Sequence, residues 1–571
     1  MPYPVFARLQ PGEAITIVAD GERHPFAITQ LCQALGSHSP SVLPLEAASA
    51  ALPGPTVILA ETAELDATTQ QALHLETLDE LGAEGCLVRT HQRDEQPLLT
   101  LIGADATGVL YAVYELVDHW LDHGPDETVF RAGEVRRRPA LPYRLFWTQD
   151  HSTNWYLEQR GLQEYAASAL YHKLGPGFLA DYQRLIDFMS RQRLNGVVVY
   201  GFLRDHHGGV ETAQELARYA TERRVRIIPG VGINSYGGIY RDGKHKYNLP
   251  HWLQAHPELR AQPEMPPGPL SFWSSLACPT QEANRRWHAE AIHWLSEEFE
   301  IGGINFETGD YGMCRCQLCE GRRGDQGGRW SLGDTVELYP ALFEAARSAK
   351  PDLWLVAEAY FDNILDLPTI APLAGLPAET IAQYTINRNY WPRVQEELTP
   401  AHVQALPTGT NIMRTHMGSQ WGGGEAPPGG ERYRPVARDF ADLARLVTTS
   451  GMQGMNVFGE VSVFSTVNEL NYLAFATFAN DGAITWEQFV ADVLGPRLGG
   501  AGHASEYLRL LEVPLEEGLP AYDAGALREA VGQARELTRT LTDGEQHRRW
   551  VWLVNRLYQA RTMGPAPQMP T

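Results

Sequence analysis

The stretch FLADYQRLIDFMSRQRLNGVVVYG, Phe178 to Gly201, changes its period part-way along. Up to Leu194 the apolar residues recur at helical spacing, and from Gly196 an unbroken apolar run of strand length follows. A helix that feeds straight into a fully buried strand is the repeating element of an α/β fold with a parallel sheet. Looking outward, the same pattern recurs on both sides. Apolar runs of strand length stand at 143–148 (YRLFWT), 196–201, 225–230 (VRIIPG), 302–307 (GGINFE), 353–358 (LWLVAE), 379–384 (ETIAQY), 411–416 (NIMRTH) and 454–460 (GMNVFGE). Helical stretches lie between them, at 178–194, 280–299 and 435–450 among others, and only the fifth, ILDLPTIAPLAGL (364–376), is poorly defined. Eight such βα units within about 350 residues fit a (β/α)8 TIM barrel. A doubly wound open sheet is the competing arrangement, disfavoured because no phosphate-binding glycine fingerprint follows an early strand.

The rest of the chain divides around this barrel. Residues 1–138 read as an N-terminal α/β accessory domain, with strands at 14–20, 56–61 and 97–105 and a helix over 107–121. The basic, proline-bearing stretch 134–144 is a candidate linker. The barrel is expected over 139–500, and a C-terminal helical region, packed on the barrel or serving a homo-oligomer contact, over 501–571. A length of 571 residues is consistent with roughly two to four domains. A formal charge of −22 disfavours nucleic acid and anionic membranes as partners, since both call for a basic surface. The first twenty residues carry no basic region followed by an apolar stretch, and no run reaches membrane-spanning length, so a soluble, cytoplasmic protein is expected.

In such a barrel, chemistry sits at the C-terminal strand ends and in the loops beyond them. Three expected strands end on a carboxylate, Glu307, Glu358 and Glu460, and Asp310 follows closely after the first. A carboxylate there needs a partner or a function, because burying it unpaired is costly. The plain alternative is a set of ion pairs with Arg144, Arg388 or Arg414. Trp147, Tyr236, Tyr311, Trp391 and Trp421 all fall in the expected post-strand loops. Aromatic faces there pack on the apolar faces of sugars, or else they cap the barrel core. Paired carboxylates in an aromatic-lined pocket are what protonation of a glycosidic oxygen and attack at the anomeric carbon require. Arg204, Arg414 and His416 are candidates to bind a substrate carboxylate or to neutralise the acids.

Six cysteines in so long a chain make no disulfide scaffold, yet Cys314, Cys316 and Cys319 crowd together as C-x-C-x2-C. That spacing suits a tetrahedral zinc needing a fourth ligand. Cys278 is the best candidate for it, with His245, His206 or a water as the others. Four thiolates would leave no open position, making the zinc structural; free thiols or one disulfide are the alternatives.

The sequence also resembles a known superfamily. LIGADATGVLYAVYELVDHWL (101–121) resembles the end of the accessory domain that precedes the barrel in family 67 α-glucuronidases and in family 20 and 84 hexosaminidases. YQRLIDFMSRQRLNGVVVY resembles their first helix and second strand, and residues 451–495 resemble the last strand and following helices of the α-glucuronidases. The resemblance implies a glycoside hydrolase with a helical C-terminal region, in a branch with a CxCxxC loop after strand four. It implies Glu307 as general acid, with Glu358 or Asp362 supplying a second acidic function. After strand six, where the glucuronidases carry an acid, this chain has Gln383; the hexosaminidases' adjacent acid pair is here spaced as Glu307 and Asp310. The expectation is an exo-acting glycosidase on a uronic acid or N-acetylhexosamine type of oligosaccharide, needing no catalytic cofactor. Glu307 is its acid, Asp310 tunes or positions it, Glu358 is the base or nucleophile, and Glu460 is the reserve. A non-catalytic carbohydrate-binding barrel, and a metal-dependent hydrolase built on Asp205, His206 and His207, are the other classes.

Overall fold

The structure, a computed structural model, describes residues 4–50, 52–75, 78–124, 126–149, 175–262, 275–307, 314–323, 332–359, 364–419, 434–459, 466–516, 519–520 and 523–563. The chain falls into two compact units, Met1–Pro142 with Glu222–Arg224, and Tyr143–Thr221 with Val225–Thr571.

The first unit holds nine strands: β1 (Val5–Leu9), β2 (Ala14–Ala19), β3 (Ser39–Leu43), β4 (Thr56–Glu61), β5 (Cys86–Arg93), β6 (Gln96–Gly103), β7 (Leu121–His123), β8 (Thr128–Arg131) and β9 (Glu134–Arg137). Six form a mixed sheet in the order β3-β2-β4-β6-β5-β9, and β1, β8 and β7 form a small antiparallel one. The helix Ala106–His119 starts where the Asp105 side chain accepts from the backbone N–H groups of Thr107 and Gly108, an N-cap. Gly108 allows a close approach, since a Cβ there would stand 2.2 Å from the Gly85 carbonyl oxygen. The expected linker begins later than its basic composition suggests. Glu134–Arg137 pairs with β5 as the edge of the sheet, where charged side chains guard the unpaired side.

The second unit is built on a closed barrel of eight parallel strands, which excludes the open sheet. They are β10 (Tyr143–Gln149), β11 (Gly196–Tyr200), β12 (Arg226–Gly232), β13 (Gly303–Glu307), β14 (Trp354–Ala359), β15 (Ile381–Ile386), β16 (Thr410–Thr415) and β17 (Gly454–Phe458). Each expected strand is present, and β17 closes the ring by pairing with β10. Alternation along each strand sends one set of side chains outward to the helices and the other into the barrel. Phe306, for example, faces outward onto Tyr339 and Phe343 of the helix Leu332–Ala349. Its neighbours in sequence, Asn305 and Glu307, take the opposite face. Inside the barrel, Leu145, Val198, Ile228, Val356, Ile381 and Ile412 form an apolar layer, with Trp147, Tyr200 and Phe458 nearer the C-terminal end. The ill-defined fifth segment is a single helical turn, Leu367–Ile370, continued by a 3-10 turn, as its prolines would dictate. Beyond the barrel the helices Ala501–Glu512, Ala524–Thr538 and Gly544–Met563 pack around Trp550, whose indole donates to the Leu498 carbonyl at 2.9 Å. Among the described residues no helix is long and apolar enough to cross a membrane.

Candidate active site

The strand phase that makes Phe306 face outward makes Asn305 and Glu307 face inward on β13. The same phase directs Tyr200 on β11, Glu358 on β14, Gln383 on β15, Arg414 on β16 and Asn456 on β17 into the barrel. All seven are almost fully buried. They form one continuous polar network. The Asn456 amide donates to Gln383 at 2.6 Å, and the Gln383 amide donates to Asn305 at 3.4 Å. The Asn305 amide splits its two protons between the Tyr200 hydroxyl at 3.0 Å and Glu358 Oε2 at 2.8 Å. Tyr200 then stands between the two acids: its hydroxyl is hydrogen-bonded to Glu307 Oε2 and lies 3.3 Å from Glu358 Oε2.

Glu358 is also ion-paired with Arg414, both side chains being fully enclosed, and it accepts from the Trp147 indole at 3.4 Å. Arg414 is held by Thr385 Oγ1 at 3.1 Å, and its guanidinium sits 5.0 Å from the Trp147 ring centre. Burial, with the negative charges of Glu307 and Glu358 beside it, pushes the Tyr200 phenol well above its ordinary range. It therefore remains a neutral hydroxyl with one proton to give. Burial, with Arg414 adding to it, holds His416 well below the ordinary histidine range, so its ring stays neutral against the edge of Phe458.

The expected site residues separate into three groups. Glu307, Glu358, Trp147, Arg414 and His416 lie together at the C-terminal end of the barrel. Tyr236 adjoins them, with its ring 6.2 Å from that of Tyr200. Trp147 is a strand residue pointing inward and not a loop residue, because β10 continues to Gln149. Arg414 is ion-paired with Glu358, which fits the neutralising one of its two alternatives. Arg204 is engaged elsewhere, pairing with Asp242 at 3.5 Å, and Trp391 is buried at the start of the short helix Trp391–Glu397. Asp310, Tyr311, Asp362, Trp421 and Glu460 lie outside the described residues.

Tyr200, Asn305 and Asn456 are not among the expected residues, and Gln383 stands out in the sequence only for not being an acid. The sequence carries only a weak sign of them: Asn305, Gln383 and Asn456 are single polar residues inside apolar strands, and Tyr200 is an aromatic that ends one. The Asp205, His206 and His207 set does not converge. Asp205 accepts from Tyr240 at 2.6 Å, His207 stacks on Phe178, and His206 is half exposed.

Two other groups among the described residues can hold a cation. The Sγ atoms of Cys278, Cys314, Cys316 and Cys319 all lie within 4.8 Å of one another, and no disulfide joins them. In the first unit, His24, Glu61 and Glu64 gather, but Arg23 already pairs with Glu61 at 2.8 Å.

No family model matches the chain, and no curated protein matches it in sequence. Its fold, however, is similar to that of solved glycoside hydrolases. CpGH84B superposes with a TM-score of 0.59 at 10% identity, over 98% of this chain and 88% of that one. The β-N-acetylhexosaminidase from Bacteroides fragilis NCTC 9343 gives 0.54 at 12% identity, over 87% and 93%. A GH138 enzyme targeting pectin rhamnogalacturonan II gives 0.55 at 10%, over 96% and 68%. At these identities the likeness is one of fold.

Proposed function

We propose that the chain is an exo-acting glycoside hydrolase, with Glu307 as general acid and Glu358 as the carboxylate facing the anomeric carbon. One observation carries the reading: two buried carboxylates at neighbouring strand ends converge on a single tyrosine hydroxyl. The proton count supports the division of roles. Glu358 has Arg414, Asn305 and Trp147 to satisfy it as an anion. Tyr200 accepts from Asn305 and gives its one proton to Glu307, its nearer partner, while Glu358 Oε2 lies 3.3 Å away. Glu358, fixed as an anion by Arg414, leaves Glu307 for the acid role. A carboxylic acid beside a fixed carboxylate is the pairing that glycoside hydrolysis uses.

One hydroxyl touches both acids. Retaining chemistry, which needs carboxyl groups about 5–5.5 Å apart, would make Glu358 the nucleophile and Glu307 the returning base, whereas the inverting separation of about 6.5–9.5 Å would make Glu358 the base. The long connection after β12, 233–281, supports action at a chain end. The name of the B. fragilis neighbour makes an N-acetylhexosaminide the first sugar to test and a uronide the second.

A panel of aryl glycosides and oligosaccharides, with wild type beside Glu307→Gln and with EDTA present or absent, tests the proposal. Turnover by wild type that survives EDTA in the folded protein, and that Glu307→Gln loses on the oligosaccharides and other substrates with a basic leaving group, is the expected result. Full turnover of those substrates by Glu307→Gln overturns the acid assignment.

A further inference from the structure

We propose that Cys278, Cys314, Cys316 and Cys319 bind one zinc ion in a closed tetrahedral site that fastens the loop after β12 to the loop after β13. The sulfurs come from two separate stretches. Cys278 lies ahead of the helix Glu282–Glu298, while Cys314, Cys316 and Cys319 lie at or in the short helix Gln317–Arg323. The Cys278 sulfur stands 3.8 Å from that of Cys316 and 3.6 Å from that of Cys319. Zinc–thiolate bonds of about 2.3 Å at tetrahedral angles place the sulfurs about 3.8 Å apart. These spacings are thus those of a ligand shell, and far too long for a disulfide.

The surroundings supply what thiolates need. The Gln262 backbone N–H points at Cys314 Sγ at 3.4 Å, and the Thr280 hydroxyl lies 2.8 Å from Cys319 Sγ. Donors to ligating sulfurs fix their orientation and stabilise their charge. A zinc tetrathiolate carries two net negative charges, and burying it calls for a cation nearby. The buried Arg323 guanidinium fills that place, donating to the Cys314 carbonyl at 2.5 Å and to Asp334 at 2.8 Å. The two loops are also joined through their backbones, Arg315 donating to the Gln262 carbonyl at 2.8 Å. Four protein thiolates leave no open position for water, so the ion is structural. The zinc site stands whether or not the barrel hydrolyses glycosides.

The test uses the full chain, purified under reducing conditions from zinc-supplemented medium and analysed for metals by plasma mass spectrometry. The expected result is one zinc per folded chain, lost in Cys316→Ser and Cys278→Ser. Cobalt added to chelated protein should give the thiolate charge-transfer and tetrahedral d–d bands of a four-sulfur site. Thr280→Val keeps all four ligands and is expected to weaken zinc binding about 10-fold, which covers the case of a cysteine variant that fails to fold. Folded, reduced wild type that is metal-free and gives no cobalt–thiolate bands overturns the proposal. Iron in place of zinc, or a disulfide among the four, overturns it equally.

Discussion

Replacing Arg414 by Met removes the guanidinium and keeps much of the apolar stem. The substitution strands Glu358, whose side chain is fully enclosed, with the Asn305 amide at 2.8 Å, the Trp147 indole at 3.4 Å and the Tyr200 hydroxyl at 3.3 Å as its remaining polar partners. It also removes the cation over the Trp147 face and a partner of Thr385. Breaking a buried ion pair by removing one member costs about 3–5 kcal/mol, because an uncompensated charge stays inside. Arg414→Met is therefore expected to lose about 3–5 kcal/mol in urea unfolding followed by near-ultraviolet circular dichroism. Adding Glu358→Gln removes the stranded charge, so the double variant should recover about 2–3 kcal/mol relative to the sum of the singles. A loss below about 1 kcal/mol for Arg414→Met, or singles that add to within about 0.5 kcal/mol, would refute the buried pair and the charge state assigned to Glu358.

Three further outcomes follow from the same geometry. Tyr200→Phe removes the hydroxyl between the acids and should cost about 100-fold in kcat with a stability change under about 2 kcal/mol; unchanged kcat on a responsive substrate would remove Tyr200 from the proton count. A Cβ at Gly230 would stand 2.2 Å from the Tyr200 ring, so Gly230→Ala should destabilise by about 1–3 kcal/mol and displace that ring, checked by urea unfolding and turnover together. Burial lowers His288 to about 3, so the folded chain resists the proton that the unfolded chain accepts near pH 6.5. Its contribution is fully present above that pH and is lost as pH falls toward 3, at about 1.4 kcal/mol per pH unit, so His288→Gln should flatten the acid limb of a stability–pH curve by that slope.

The barrel was legible because its strands are short, apolar and separated by helical stretches, a pattern that survives errors of a residue or two at each end. The sixth strand shows this, running 381–386 where 379–384 was expected, a shift of two that leaves Gln383 facing inward. Charge misled in one place: EVRR reads as linker by composition but forms a sheet edge. The acids could be found because they end strands. Their supports could not be found that way: Asn305, Gln383 and Asn456 mean little singly, and only closure of the ring brings them into contact. Tyr200 was hidden for a related reason, since an aromatic ending an apolar strand reads as core until Gly230 across the sheet leaves room for its ring beside two carboxylates.

The role of Glu307 is tested most directly by leaving-group dependence. A general acid matters most where the departing oxygen is strongly basic, so Glu307→Gln should lose about 100-fold or more in kcat/KM on an alkyl glycoside. It should lose far less on the dinitrophenyl glycoside of the same sugar, whose leaving group needs no proton. Equal losses on the two substrates would contradict the assignment of Glu307 as the acid.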